Sequence, residues 1–131
     1  MLARGIAVRR VPEVRQHGCI AETGAKRMVD LNSKAGAIII DGYRYVLWRN
    51  WVPNNRRRML WIMLNPSKAD EKQSDRTLQQ CIHFSDRELY GGLEVVNLFA
   101  YQTPYPRKLR EIPDPIGREN PRHLETVWKA V

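Results

Sequence analysis

Met59-Leu60-Trp61-Ile62-Met63-Leu64 is an unbroken apolar run that stops at Asn65-Pro66-Ser67. Without alternation, and at this length, it is too short for a helix and suits a strand buried on both faces. A polar loop follows to Ser74. From about Asp75 to Tyr90 the chain reads as a helix, with Leu78, Ile82, Ser85 and Leu89 along one face. Ser74 or Asp75 caps its start, and Gly91-Gly92 ends it. Leu93-Glu94-Val95-Val96-Asn97-Leu98-Phe99 reads as a second buried strand. Strand, helix and strand make a βαβ unit, whose strands are parallel and whose crossover is right-handed.

Upstream of this unit, Ile38-Ile39-Ile40 and Tyr43-Arg44-Tyr45-Val46-Leu47-Trp48 flank Asp41-Gly42. Two β-branched or aromatic runs joined by Asp-Gly predict a hairpin with a type I′ turn. Pro53-Asn54-Asn55 breaks the chain, and Arg56-Arg57-Arg58 keep the next loop exposed. Downstream, Pro104, Pro106, Pro113 and Pro115 prevent regular structure. A last helix starts near Arg118 or Pro121, with Leu124, Val127, Trp128 and Val131 on one face. The expected class is α/β, with a mostly parallel sheet and an N-terminal β-hairpin. Residues 1–35 show neither helical nor strand periodicity and read as a poorly structured extension of a domain at 36–131.

The chain has 131 residues, 22 Lys and Arg against 14 Asp and Glu, and a formal net charge of +8. Its length fits one domain, and 43% hydrophobic with 27% charged residues excludes a composition for disorder. No apolar run reaches the ~18–20 residues of a membrane span, and none resembles a signal-peptide core. Two cysteines make no disulfide framework, so the expectation is a soluble cytoplasmic protein without membrane association. The positive charge divides evenly between residues 1–35 and 36–131, with local density at Arg56, Arg57 and Arg58. It suits a polyanionic partner, nucleic acid or a nucleotide, and equally the ordinary solvation of loops.

Ligands of parallel sheets bind beyond the C-terminal strand ends, and two polar signatures fall there. Asn97 is a carboxamide inside an apolar strand, able to match the edge of a base or to tie a loop to the sheet. In Asn65-Pro66-Ser67, proline fixes the direction in which Asn65 leaves its strand. Ser67 and the backbone after it suit an anion or a turn. Lys68, Asp70, Lys72, Asp75 and Arg76 flank that mouth, or cap the helix and solvate the loop. A zinc set of His17, Cys19, Cys81 and His83 fails on spacing, because i and i+2 on a helix diverge. No metal or cofactor is expected.

Taken together, Tyr43-Arg44-Tyr45, Leu47-Trp48-Arg49, Met63-Leu64-Asn65-Pro66-Ser67, Ala69-Asp70, Asp75 and Thr77 resemble the domain-of-unknown-function 1643 family of bacteria and phages. Gly91-Gly92-Leu93, Val95-Val96-Asn97-Leu98-Phe99-Ala100, Asp114-Pro115, Gly117 and Glu119-Asn120 extend the resemblance, which covers roughly residues 37–131 as ordered blocks. That family in turn looks like the uracil-DNA glycosylase superfamily, which implies a three-layer α/β/α fold. There an Asp-Pro or Asn-Pro after one strand positions the hydrolytic water or the flipped base, and an Asn ending a later strand reads the base edge. The resemblance thus implies Asn65 as a catalytic residue and Asn97 as a base-reading one. Pro66, Ser67, Asp70, Asp75 and Phe99 would line the pocket; separately, the positive charge makes Arg56, Arg57, Arg58 and Lys68 the candidates for contact with backbone phosphates.

The family pattern has two acidic residues and a proline before the Thr where this chain reads Ser74-Asp75-Arg76-Thr77. It also continues into a Trp-Gly strand and a Gly-x-Pro-x-His-Pro-Leu segment that this sequence does not contain. The chain therefore reads as a C-terminally shortened member whose status as an enzyme stays open. Two functions follow: a nucleotide- or DNA-interacting domain with a glycosylase-like pocket, or a noncatalytic fragment or accessory domain. The latter would bind nucleic acid or a protein through its basic surface. A homo-oligomer or protein partner would cover apolar faces left open.

Overall fold

The computed structural model describes residues 34–129 throughout and the backbone at 7–11, 20–22 and 25–27. Much of the 1–35 extension, with His17 and Cys19, therefore lies outside the described residues, as does Val131. In that part, β1 is Ala7–Val11, and β2 (Ile20–Glu22) pairs antiparallel with β3 (Ala25–Arg27). The hairpin forms as expected: β4 (Ala35–Ile40) and β5 (Tyr43–Asn50) are antiparallel. Asp41 and Gly42 both have positive φ, 50° and 82°, the condition for a type I′ turn. The register shifts between Ile38 and Ile39, which face Val46 and Arg44. Tyr45 is thus the extra residue of a bulge, and alternation along β5 is reset there.

The apolar run becomes β6 (Arg58–Met63), the helix α1 (Arg76–Arg87) and the second strand β7 (Gly92–Asn97). β6 and β7 are parallel, Met63 opposite Asn97. The four-stranded sheet runs β6-β7-β5-β4, and β1 adds antiparallel to the outer edge of β6. β5 is antiparallel to both β4 and β7, so the sheet is mostly antiparallel, against the expectation of a mostly parallel one. The reason is connection length. A parallel neighbour needs a crossover of about a dozen residues or more, and between β4 and β7 only the segment carrying α1 is long enough. The two-residue turn after β4 and the short loop between β5 and β6 can only reverse the chain.

β7 lies between β5 and β6, with Gly92 facing both Asn50 and Arg58. The loop from β5 to β6 spans the start of β7, with Trp51 N donating to Gly91 O at 2.9 Å and Gly91 N to Arg57 O at 2.9 Å. This explains Gly91-Gly92, which do not end α1 as expected. A Cβ on Gly91 would sit 2.2 Å from Asn55 O, and one on Gly92 2.4 Å from Asn50 Oδ1. The helix stops earlier, at Arg87, and the left-handed position is Leu89, φ 63°, with its side chain 76% exposed rather than on the buried stripe. The buried stripe is Leu78, Cys81 and Ser85.

Asp75 caps α1, its Oδ1 accepting from Leu78 N at 2.8 Å. Leu78 and Cys81 pack with Leu47, Met59, Trp61, Leu93 and Val95. The second helix, α2 (Asn120–Lys129), contributes Val127 to a separate cluster with Ile38, Val46, Trp48, Leu60 and Val96. Trp128, expected on the packed face, is 52% exposed. At the far end of the sheet Arg58 and Glu94 form a buried ion pair at 3.1 Å.

Candidate functional site

Parallel pairing of β6 and β7 brings their C-terminal ends to one edge. Beyond it Leu98 N donates to Met63 O and Phe99 N to Leu64 O, each at 2.9 Å. Asn65 and Asn97 therefore leave the sheet at the same place, as the βαβ reading requires. Asn97 is 1% exposed, and neither its Nδ2 nor its Oδ1 has a hydrogen-bond partner. An unsatisfied buried amide costs about 1–3 kcal/mol, so this side chain is held in place against its own solvation. Its carbonyl is supported from behind: Asn120 Nδ2 donates to Asn97 O at 2.9 Å and to Leu98 O at 3.1 Å.

Asn65 differs. Its Nδ2 donates to Thr103 O at 2.8 Å and Pro66 O at 3.1 Å, which ties the loop after β6 to the segment after β7. The same seam carries Thr103 N to Pro66 O at 2.9 Å and Gln102 Nε2 to Ser67 O at 3.2 Å.

Between this loop, β6, β7 and the start of α1 is a cavity of about 70 Å³. Arg44, Asn65, Ser67, Asp75 and Thr77 supply its polar lining, and Met63, Leu78 and Val95 its apolar lining. Asn97 does not itself line it. It is the next residue on the face of β7 after Val95, and its register partner is Met63. Phe99 is half-buried, and its side chain is not part of the wall.

Arg44 is the residue the expected site lacked. It is 4% exposed, donates from Nη1 to Ala69 O at 2.8 Å, and leaves Nε without a partner. Burial pulls its pKa down to about 10, against the attraction of Asp75 and with the repulsion of Arg49. Arg49 donates from Nη2 to the carbonyls of Asp70 and Gln73, the latter at 3.1 Å. Two guanidinium groups of β5 thus hold the backbone of the loop after β6. The bulge at Tyr45 places Arg44 on this side, and no simple alternation of the strand indicates it.

Asp70 serves the loop and not the cavity. Its Oδ1 accepts from Lys72 N at 2.8 Å and Gln73 N at 2.7 Å, and these bonds hold its carboxyl below the usual range. Asp75 combines two tasks, capping α1 and lining the cavity beside Arg44.

The basic loop is divided by the structure. Arg56 is exposed, and Arg57 is half-buried with its guanidinium 5.2 Å from the centre of the Tyr90 ring. Arg58 is buried in the pair with Glu94, so the expected run of three exposed arginines does not exist. Lys68 is exposed beside the mouth. Cys81 is buried, its thiol pushed up to about 12 by desolvation, and His83 is exposed on another face of α1. Among the described residues no three His, Cys, Asp or Glu side chains come together as a metal site needs. No helix among them is long and apolar enough to cross a membrane.

A second buried polar group lies against α2. His123 is 2% exposed, stacks on Tyr45 with ring centres 4.8 Å apart, and has no partner at Nδ1. Desolvation, aided by Arg122 and opposed by Glu119, lowers its pKa. Asn120 was visible in sequence as part of the Glu119-Asn120 block; nothing there indicated the support it gives to Asn97.

The model of the family described as Protein of unknown function (DUF1643) matches residues 44–131, beginning at Arg44 itself. No curated protein and no solved structure matches the chain.

Proposed function

Given that the chain belongs to the DUF1643 family of proteins of unknown function, we propose that it is a nucleotide- or DNA-interacting domain. It takes the edge of a nucleobase at the mouth formed by the ends of β6 and β7. The observation that carries this reading is the Asn97 amide, buried with donor and acceptor both unpaired. Such an amide offers a paired donor and acceptor to a ring edge that carries the complement. The cavity beside it is lined by Arg44, by the hydroxyl-bearing Ser67 and Thr77 and by Asp75. Its volume accepts the edge of a base and not a whole ring, so the remainder lies in the opening.

The resemblance of Asn65-Pro66 and Asn97 to the strand-end motifs of uracil-DNA glycosylases supports the same assignment, as does the packing of α1 and α2 against different strand residues. In this reading the domain is 36–131, and Pro66 and Ser67 set the loop that walls the cavity. Asn65 positions that loop, because its Nδ2 is committed to backbone carbonyls. Phe99 is assigned a place near the opening.

Calorimetric titration with the four common nucleosides and with deoxyuridine tests the proposal. One of these should bind the wild type, and Asn97→Ala should weaken it at least tenfold. Heats of dilution alone with every nucleoside would sink it. Release of free base from oligonucleotides is the separate readout for hydrolysis.

A further inference from the structure

Immediately after the seam that joins the two loops, the chain presents Tyr105 and the 3₁₀ turn Pro106–Arg110. Tyr105 is 61% exposed. Its position is nonetheless set: its N–H donates to Thr103 Oγ1 at 3.1 Å, and Thr103 is the residue whose carbonyl receives Asn65 Nδ2. Leu109 is buried and anchors the turn, which leaves Arg107, Lys108 and Arg110 facing solvent. Lys108 Nζ lies 5.4 Å from the centre of the Tyr105 ring. Lys68, also exposed, is on the other side of the seam, next to Ser67. Against these cations stand the exposed acids Glu111 and Asp114 after the turn and Glu71 near Lys68.

From this arrangement we infer that the Tyr105–Arg110 segment is a track for single-stranded nucleic acid, leading into the mouth at Asn65. An exposed aromatic ring with Lys108 over one face and further cations along the turn offers its other face as a stacking platform for an unpaired base with phosphates to either side. A duplex keeps its bases stacked within itself and has no free ring to offer Tyr105. An anionic membrane would need an apolar face, and the apolar residue of the turn, Leu109, is turned inward. The inference rests on the proposed base site for what lies at the end of the track and not for the contacts along it. It makes a strand the tighter ligand of this site, because a free nucleoside or mononucleotide meets the base site alone and gains nothing from the track.

Fluorescence anisotropy with a labelled 12-mer of deoxythymidylate, the matching duplex and thymidine monophosphate as competitor tests it. The single strand should bind more tightly than the duplex, and the mononucleotide should compete only weakly. Tyr105→Ala should weaken the single strand by roughly five- to a hundredfold, with unchanged circular dichroism. Arg107→Ser with Lys108→Ser should flatten the salt dependence of log K by roughly 0.7 per lost contact. Equal or better duplex binding, or a Tyr105→Ala protein that binds the strand as wild type does, overturns the track. Asn97→Ala separates the two readings. If it abolishes nucleoside binding while Tyr105→Ala changes nothing, the base site stands and the track falls. If only Tyr105→Ala weakens strand binding and Asn97→Ala changes no ligand, the track stands and the base site falls.

Discussion

Asn120 spans from the first residue of α2 to the last residue of β7, giving both hydrogens of one amide nitrogen to Asn97 O and Leu98 O. The bond to Asn97 is buried and the bond to Leu98 partly so, and the contact sets where the central strand ends. Asn120→Ala leaves two carbonyls without their donor, and the expected loss is about 2–3 kcal/mol in urea denaturation. Asn120→Asp, which keeps the size and removes the donors, should lose at least as much. A loss under 0.5 kcal/mol in both would mean that α2 does not support the strand end.

Asn97 should behave in the opposite way. Its amide is buried without partners, so replacement by an apolar side chain of similar volume removes a desolvation cost. Asn97→Leu is expected to stabilise the protein by about 1 kcal/mol, seen as a higher melting temperature, while it abolishes nucleoside binding. A destabilised Asn97→Leu protein would show that the amide contributes to folding.

The Arg58–Glu94 pair tests the fate of the basic loop. Arg58→Met strands a buried carboxylate and should cost about 3–5 kcal/mol, whereas Arg58→Met with Glu94→Leu should be nearly neutral. The double variant should bind nucleic acid with the salt dependence of the wild type, because Arg58 faces Glu94 and not solvent. A flatter salt dependence would place Arg58 at the phosphates after all.

His123 gives a signed pH dependence. Its folded pKa lies below the ordinary value of 6.5, so between the two the unfolded chain binds more protons than the folded one. The contribution of His123 to stability is therefore present above about pH 6.5 and is lost as pH falls through that window. His123→Phe, which keeps a ring against Tyr45, should flatten the stability profile just below pH 6.5 in denaturant titrations. An unchanged profile would assign the dependence to other groups.

The parts legible in sequence were those set by local chemistry. Asp41-Gly42 indicated its own turn, and the apolar runs around α1 indicated the parallel pair that brings Asn65 and Asn97 to one edge. The direction of the remaining strands was not legible, because the residues of β5 do not encode which later strand will lie beside them. Arg44 was missed for a related reason. Regular alternation would put it on the face of Val46 and Trp48, and only the bulge at Tyr45 turns it under the loop. In Arg56-Arg57-Arg58 the third residue already belongs to β6, and its partner Glu94 lies on another strand. A charged residue within the apolar β7 was the one local sign of that pairing.

The placement of β7 also has a consequence for the order of assembly. As the chain is synthesised, β5 and β6 both leave the ribosome before the strand that belongs between them, and the loop joining them arches over the place it will fill. Until residues 92–97 emerge, each of those strands presents an unpaired edge to the other, and direct pairing of the two would yield a hairpin that the finished protein must dissolve. The glycines at 91 and 92 keep the gate under the arch narrow and free of side chains, so the last strand of the sheet enters at its centre.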